Sequence, residues 1–394
     1  MSAILKQLKN YKYRLYPTPA QKVTLANTLN LCRELYNAAL QERRDAYRMC
    51  QKSLNFYDQC KQLPEIKQVR SDLASVYSQT LQDVLHRIDK AFASFFRRIK
   101  KGETPGYPRF QGVGRYDSFA YPQLGWSLLN GRLTLSKIGT LRLKLHRQVT
   151  GKAKTCTVKR EGSQWYVVFS VETEFEPLEN VGPTVGIDVG LEYFANQSDG
   201  VQVENPRHFR KSEKRLAKAQ RKADKLKQNP RLDPAKLKAK KVVQVIHRHI
   251  RNQRADFHHK LSHSLVSNYN LIAVENLQVR NMTRRAKPKA DPDNVGEYLP
   301  NGAAAKSGLT KSINDAGWSA FISMLEYKAV NAGSRVIKVN AHHTSQICPN
   351  CGVVKPKELS ERWHSCQCGL EIHRDIAAAQ VILSRGLTAI GVNP

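Results

Sequence analysis

Four cysteines stand close together near the C-terminal end of this chain of 394 residues. They form a C-x-x-C pair and a C-x-C pair, each followed by glycine: Cys348, Cys351, Cys366 and Cys368. Two thiolate pairs on tight turns can hold one Zn²⁺ tetrahedrally, which leaves no open position for chemistry. Four buried free thiols are the alternative, but polar, turn-rich sequence is a poor way to build a core. The spacing predicts one structural zinc ion, and the short second pair leaves open whether His364 or His373 also contributes.

Three carboxylates occupy positions where an ionised side chain needs a cation. Asp188 and Glu275 each lie in an apolar segment typical of a strand, and Asp375 opens an alanine-rich helix. Taken singly, the first two fit ion pairs with lysine or arginine, and the third fits a capping charge. Taken together, three carboxylates are sufficient protein ligands for Mg²⁺, and two such ions can drive phosphodiester hydrolysis. On this chemistry the chain is a candidate nuclease.

The charge of the chain indicates a polyanionic partner. Its 64 Lys and Arg against 33 Asp and Glu give a net charge of +31, which favours nucleic acid. Residues 207–260 hold 19 of these basic residues against four acidic ones, whereas ordinary solvated helices mix the two signs. We predict that this segment contacts a nucleic-acid backbone rather than solvent alone. The contacts are assigned to Lys214, Arg215, Lys218, Arg221 and Lys222.

Composition excludes several classes of protein. At 41% hydrophobic residues the chain resembles ordinary globular proteins, with length for two or three domains. It has no apolar run of about 20 residues, so we expect no transmembrane helix and no membrane partner. The first ten residues lack the apolar core of a signal peptide. We therefore expect a cytoplasmic protein whose scattered cysteines stay reduced.

Hydrophobic periodicity predicts the elements of the first half. Alternation over residues 11–15 predicts a strand, and Thr18-Pro19-Ala20-Gln21 predicts a capped helix start. Residues 71–100 have helical spacing throughout. Residues 105–175 alternate in short runs separated by glycine and proline, which predicts an antiparallel β unit.

From residue 181 onward the pattern becomes α/β. Apolar strands are predicted at residues 184–188, 193–197, 201–203, 271–277 and 335–339. The basic segment predicts two helices interrupted at Gln228–Pro234. A further helix is predicted to end at Gly333. The polar residues 281–310 are expected to be mobile.

Several motifs, taken in their order along the chain, resemble those of the TnpB (OrfB) family of RuvC-like nucleases. These proteins belong to small bacterial insertion sequences and are related to the ancestors of type V CRISPR effectors. The motifs are Gly186–Gly190, Val274–Leu277, Thr344–Gln346 leading into the cysteine pairs, and Arg374-Asp375. The resemblance extends nearly end to end through Tyr13–Pro17, Gly106–Phe110, Asn314–Trp318 and Leu325–Ala329.

The resemblance implies an α+β multidomain protein. Its expected N-terminal part is a β-barrel wedge domain, residues 1–17 and 105–180, with an inserted helical recognition domain, residues 18–104. Its expected C-terminal part is an RNase H-like (RuvC) α/β nuclease domain. That domain would comprise residues 181–343 and 372–394, including the basic helical insertion 207–260, with an inserted zinc ribbon at 344–371.

The resemblance also implies an RNA-guided DNA endonuclease. Such an enzyme binds a guide RNA from the transposon end, recognises a short adjacent motif in double-stranded DNA and cuts with two Mg²⁺ ions; a monomer is favoured. Asp188, Glu275 and Asp375 match the three catalytic carboxylates of the family. The resemblance places motif reading near Tyr57 and Gln82, and glutamine can pair bidentately with adenine.

The chain departs from the family pattern at one position. The family usually has asparagine two residues after its last aspartate, where this chain has Ala377.

Three other functions remain possible from the sequence. A non-cleaving DNA-binding transposition accessory or repressor would need only the basic surface. A structure-selective nuclease would need no RNA and little of the basic N-terminal half, and a strand-transfer transposase would use the same carboxylates. Loss of cutting with retained binding in Asp188→Ala would favour the nuclease.

Overall fold

The chain folds into two compact units with separate cores. The computed structural model describes residues 5–226, 234–294, 296–358 and 360–392. One unit is Leu5–Phe175 and the other begins at Glu176. Within the described ranges, every helix is too short or too polar to span a lipid bilayer.

The N-terminal unit is built on a curled antiparallel sheet. Its strands are β1 (Leu5–Tyr16), β2 (Ser118–Tyr121), β3 (Trp126–Leu129), β4 (Arg132–Leu135), β5 (Gly139–Lys144), β6 (Lys152–Glu161) and β7 (Gln164–Phe175). In the sheet they lie in the order β2-β6-β7-β1-β5-β4-β3. On edge strand β2, the Tyr121 hydroxyl donates to the Ser136 carbonyl beside β4 at 2.9 Å. On edge strand β3, the Trp126 ring packs against Phe169 of β7, with centroids 5.3 Å apart. The two edges approach one another, so the sheet is a nearly closed barrel.

Helices fill the interval between β1 and β2. They are α1 (Pro19–Cys50), α2 (Phe56–Val69), a 3-10 helix (Ser71–Ser75) and α3 (Ser78–Lys100). The predicted start of α1 is confirmed, since Thr18 is the N-cap and forms a capping box with Gln21. The prediction of one helix over residues 71–100 is wrong at its start, because Val76 and Tyr77 are extended. Leu73 is nonetheless buried, so the spacing of apolar residues correctly predicts which side chains are buried but not that they lie in one helix.

The C-terminal unit contains a mixed five-stranded sheet. The strands of this unit are β8 (Thr184–Asp188), β9 (Tyr193–Gln197), β10 (Gln202–Glu204), β11 (Leu271–Glu275), β12 (Lys289–Ala290), β13 (Tyr298–Leu299), β14 (Arg335–Val339), β15 (Trp363–Ser365) and β16 (Glu371–His373). The sheet has the order β10-β9-β8-β11-β14. Strands β10, β9 and β8 are antiparallel, whereas β8, β11 and β14 are parallel. Each predicted strand is present, although two differ by one or two residues at an end.

The helices of this unit cover both faces of the sheet. They are α4 (His208–Lys225), α5 (Pro234–Asn268), α6 (Val279–Met282), α7 (Ala303–Ala316), α8 (Trp318–Ala332) and α9 (Arg374–Thr388). On one face, Phe194 of β9 packs against Phe321 of α8 with ring centroids 5.0 Å apart. On the other face, Ala273 of β11 packs with Ile382 of α9. Successive strand residues point to opposite faces, so both layers are fixed by the same strands.

Three sequence predictions concern the connections of this unit. The predicted end of α8 is confirmed, since Gly333 caps it at a φ of 71°. The predicted break at Gln228–Pro234 lies almost wholly at residues 227–233, outside the described residues. The stretch 281–310, which the sequence predicts to be mobile, includes regular structure. It contains β12, β13 and the start of α7, where Ala303–Ala305 are strong helix formers.

Candidate functional site

The four clustered cysteines converge on one point. Cys348 and Cys351 lie on one turn, and Cys366 and Cys368 lie on the turn between β15 and β16; all four sulfurs are within 4.8 Å of one another. The Cys348–Cys368 and Cys351–Cys366 sulfur distances are 3.6 and 3.5 Å. Zn–S bonds of about 2.3 Å in a tetrahedron require about 3.8 Å between sulfurs, whereas a disulfide requires about 2 Å. The group therefore fits a structural zinc ion and not a disulfide pair.

Local donors favour the thiolate form of one of the four cysteines, Cys368, whereas hydrogen bonding among the sulfurs and desolvation raise the pKa of Cys351. The Asn350 side-chain amide lies 3.5 Å from the Cys368 sulfur. That amide and the Leu370 backbone N–H lower the pKa of Cys368 to about 6. A lowered thiol pKa favours metal binding, because the thiolate is the ligand. The two histidines left open by the sequence lie outside the cluster: His364 contacts Lys357 through Nδ1, and His373 caps α9 by accepting from the Asp375 N–H.

The sheet brings two of the predicted carboxylates to one edge. Asp188 is the last residue of β8, and Glu275 is the last residue of β11. These strands are parallel neighbours in which Ile187 pairs with Val274, so both carboxylates leave the sheet at its carboxyl edge. Asp375 is the second residue of α9, which packs directly on β8. One strand pair and one helix start therefore position all three.

The pKa of Asp188 indicates how the three carboxylates act on one another. Burial raises it well above its usual range, and the charges of Glu275 and Asp375 raise it further, with Arg374 opposing them. Burial also raises the pKa of Glu275, against a hydrogen bond from Thr344 and the charge of Arg385. Negative charge is thus held together at a cost that a bound cation would relieve.

The acidic site is wider than the cysteine site. Among the described residues, the cysteines are the one group of three or more ligands with every ligand atom within 4.8 Å. The carboxylates interact electrostatically but do not close into such a cage. A single small ion would need a tighter set of protein ligands or several waters. The arrangement suits hard cations that keep part of their water.

Small residues let α9 approach the sheet closely enough to deliver Asp375. A Cβ on Gly186 would lie 2.0 Å from the Ala379 carbonyl oxygen, and one on Gly386 would lie 2.6 Å from the Ala273 Cβ. The alanine-rich run is buried against the strands, including Ala377, which is 1% exposed. The run that the sequence indicated as a helix start is therefore the contact face of the helix.

The basic helix α4 presents its predicted contact residues outward. Lys214, Arg215, Lys218, Arg221 and Lys222 are all exposed. At 3.6 residues per turn they fall within an arc of about 120°. The opposite face is apolar, where Leu216 packs with Ile246 and Ile250 of α5. The charge is concentrated on one solvent-facing side.

A buried aspartate that sequence reasoning did not assign fixes the start of this helix. Asp315 accepts from the backbone N–H groups of Phe209 and Arg210 at 2.9 and 3.2 Å and pairs with Arg254 at 3.2 Å. It lies in the motif Asn314–Trp318, one of the motifs that resemble the TnpB (OrfB) family. Its role depends on a contact between residues more than 100 positions apart, which spacing does not reveal.

Tyr57 and Gln82, the residues expected to read the adjacent motif, are both exposed. Tyr57 lies at the start of α2 and Gln82 lies on α3. Phe56 packs against His86, one helical turn beyond Gln82, with ring centroids 5.3 Å apart. The two positions are therefore on neighbouring helices, and both side chains are exposed to solvent.

Three family models match the chain. The OrfB_IS605 model, described as "Probable transposase", matches residues 166–286. The "Cas12f1-like, TNB domain" model matches residues 318–382, and the OrfB "Helix-turn-helix domain" model matches residues 1–52. In the described part of that last range the chain forms β1 and the single long helix α1.

Two curated relatives are similar over nearly their whole length. "Putative RNA-guided DNA endonuclease InsQ" of Escherichia coli (strain K12) is 32% identical, covering 97% of this chain and 93% of the relative. "Putative RNA-guided DNA endonuclease" of Streptomyces pristinaespiralis is also 32% identical, covering 98% of this chain and 91% of the relative.

A solved structure shares the fold. A chain of the "Cryo-EM structure of the Cas12f1-sgRNA-target DNA complex" aligns with a TM-score of 0.54 at 13% identity, covering 96% of this chain and 98% of that one. The fold and the cysteine cluster thus define a mixed α and β protein of Cas12f1-like architecture. On the full-length identity to its relatives, the chain belongs to the TnpB (OrfB) family.

Proposed function

We propose that the protein is an RNA-guided DNA endonuclease whose catalytic carboxylates are Asp188, Glu275 and Asp375. The observation that carries the proposal is the placement of Asp188 and Glu275 at the ends of neighbouring parallel strands, with Asp375 at the start of the helix packed on β8. Burial, and the charges of Glu275 and Asp375, raise the pKa of Asp188. Structural ion pairs would leave each carboxylate beside its own cation; among the described residues Asp375 has such a partner in Arg374, whereas Asp188 and Glu275 form no salt bridge. The printed names of the two full-length relatives support the same activity.

The donor set fits Mg²⁺. Carboxylate oxygens are hard ligands, and an open acidic site lets the ion keep waters. When bound, a pair of such ions supplies water activation and charge stabilisation at the leaving oxygen. The protein's own part is to hold three oxygens at a rigid edge, with Glu275 fixed by burial and Asp375 by the start of α9. Arg374, at 3.3 Å from Asp375, is held by the Glu361 carbonyl at 2.8 Å and limits the local negative charge.

The domain organisation of the proposal follows the family. A sheet of three antiparallel strands continued by two parallel ones supports an RNase H-like (RuvC) domain over residues 181–343 and 372–394. The cysteine segment 344–371 would be its zinc ribbon. The barrel strands support a wedge domain over residues 1–17 and 105–180, and α1–α3 support an inserted recognition domain over residues 18–104.

Nucleic-acid contacts are assigned to the exposed residues. The outward face of α4 would grip the guide–target hybrid or the displaced DNA strand through phosphate contacts. Tyr57 and Gln82 would read the transposon-adjacent motif of the double-stranded target. The guide RNA would come from the transposon end, and the active species would be a monomer.

One preparation tests the proposal against its alternatives. The protein is expressed with the DNA that flanks its gene, and the nucleic acid that copurifies is sequenced. A discrete RNA mapping to the element's end, followed by Mg²⁺-dependent cutting of matching DNA that Asp188→Ala abolishes, is the expected result. Only heterogeneous nucleic acid that salt removes would favour an RNA-independent binder or nuclease, and strand joining in place of hydrolysis would favour a transposase.

A further inference from the structure

The buried carboxylate of Glu275 has a specific hydrogen-bond donor. Glu275 is 8% exposed and Thr344 is 5% exposed. The Thr344 hydroxyl donates to Glu275 Oε1 at 2.5 Å, and its contact with the Ala341 carbonyl is longer, at 3.3 Å. A hydroxyl has one proton, and a charged acceptor takes it in preference to a neutral one. Among the described residues, no hydrogen bond reaches the other oxygen, Oε2.

Hydrogen bonds hold the backbone of the loop that carries Thr344 both before and after this residue. Arg385 of α9 donates to the carbonyls of Asn340 and His342, at 2.5 and 2.8 Å. Just after Thr344, the N–H groups of Gln346 and Ile347 donate to the His343 carbonyl at 2.9 and 3.1 Å, closing a turn. The hydrogen-bonded backbone therefore fixes the position of the Thr344 hydroxyl, and the γ-methyl group of Thr344 further restricts its rotamer.

The same loop leads into the cysteine cluster. Thr344 precedes Cys348 by four residues, and the Cys348 N–H donates to the Val353 carbonyl at 2.9 Å within the first cysteine turn. On the other side, the Asn276 N–H, directly after Glu275, donates to the Val339 carbonyl at 2.8 Å. One short segment thus runs from the end of β14, past the Glu275 carboxylate, to the first cysteine ligand.

We propose that Thr344 is a positioning residue that holds Oε1 of Glu275 and so directs Oε2 toward the bound metal ions. Through it, the cysteine-bearing segment is mechanically linked to the acidic site. The inference rests on the proposed function, since it concerns the carboxylates assigned there. Without the hydroxyl, the Glu275 carboxylate has a second rotational state and a poorer affinity for Mg²⁺.

Two substitutions at one position test this role. Thr344→Val keeps the shape and removes the hydroxyl, whereas Thr344→Ser keeps the hydroxyl and removes the methyl group. Thr28→Val is the matched control: Thr28 is 6% exposed, lies in the other unit and donates only to the Thr24 carbonyl of its own helix at 2.9 Å. Zinc content of each variant is measured first, so that all are compared fully loaded.

Two readouts are followed as Mg²⁺ is titrated: the melting temperature of the full chain, and target cleavage by the RNA-loaded complex. We expect Thr344→Val to raise the half-saturating Mg²⁺ concentration about tenfold in both, with target binding unchanged. Thr344→Ser should stay within about threefold of the wild type, because it retains the charge-assisted hydrogen bond. Thr28→Val should lower the melting temperature without changing the Mg²⁺ dependence.

Other outcomes distinguish failure of the positioning role of Thr344 from failure of the proposed nuclease function. Wild-type cleavage with unchanged Mg²⁺ dependence in Thr344→Val overturns the positioning role and leaves the nuclease standing. Equal impairment of Thr344→Ser and Thr344→Val also overturns it, since the hydroxyl would then not be the active feature. A wild-type protein that neither cuts nor responds to Mg²⁺ overturns both. One that does not cut but whose melting temperature rises with Mg²⁺, less so in Thr344→Val, overturns only the function.

Discussion

Gly186→Ala perturbs the acidic site without touching a carboxylate. Gly186 lies in β8, two residues before Asp188, and its backbone φ is one that alanine adopts freely. The substitution therefore acts through space alone. The new Cβ would stand 2.0 Å from the Ala379 carbonyl oxygen, 2.7 Å from the Leu383 nitrogen and 2.9 Å from the Leu383 Cβ.

The required movement follows from these distances. Real Cβ atoms essentially never approach another heavy atom within 3.0 Å, so helix and strand must separate by at least 3.0 − 2.0 = 1.0 Å at Ala379. Asp375 lies one helical turn before Ala379 and must move with it. Overpacking of this kind costs about 1–3 kcal/mol, and a displacement of about 1 Å at a catalytic group costs about 100-fold in rate.

The assay compares single-turnover cleavage and thermal unfolding. We expect Gly186→Ala to cut about 100-fold more slowly and to melt roughly 2–4 °C lower per kcal/mol lost. Gly308→Ala is the matched control, because a Cβ there meets nothing within 4 Å and alanine is the better helix former in α7. It should cut normally and melt slightly higher. Normal cutting and normal melting of Gly186→Ala would refute the close-packing argument.

Three further predictions concern charge and metal. In metal-free protein at neutral pH, Asp188→Asn should raise the melting temperature, because folding raises the pKa of Asp188 and its ionisation destabilises the fold. The difference should shrink as pH falls through the raised pKa and disappear well below the ordinary aspartate pKa of about 3.9, where the carboxyl is protonated in both states, and a constant difference would contradict this. Cys366→Ser should reduce zinc below one ion per chain by elemental analysis and make the segment 344–373 sensitive to protease, whereas an unchanged digestion pattern would argue against zinc-dependent folding. Replacing the five basic residues of α4 by alanine should reduce the slope of log affinity against log salt by up to about 4–5, and an unchanged slope would remove this helix from the interface; the residues are Lys214, Arg215, Lys218, Arg221 and Lys222.

Local signals predicted the elements well. The capping box at Thr18 and Gln21 is complete within four residues, so the sequence alone locates the start of α1. The cysteine spacing likewise identified the four sulfurs that converge. The prediction over residues 71–100 failed where burial came from a 3-10 turn instead of a helix. Periodicity reports which residues face the core, and a turn can bury Leu73 as well as a helix can.

Sequence patterns did not predict the contacts between segments that are distant along the chain. Thr344 reaches Glu275 across 69 positions, and Asp315 caps α4 across more than 100. Both lie in motifs that were noted for resemblance, but nothing in their spacing says which backbone or carboxylate they face. The same holds for Gly186, whose lack of a side chain is explained only when α9 is seen packed on β8. Chemistry-bearing residues were identifiable by type, whereas those that support them were not.

Plasmid cleavage with a reprogrammed guide tests most directly whether the protein is an RNA-guided nuclease. The copurifying RNA is resynthesised with a new target segment, and the complex is given Mg²⁺ and plasmids that do or do not contain the matching sequence beside the adjacent motif. We expect cutting of the matching plasmid alone, and none by Asp188→Ala despite retained binding of the target. Cutting that ignores the guide sequence, or that persists in Asp188→Ala, would contradict it.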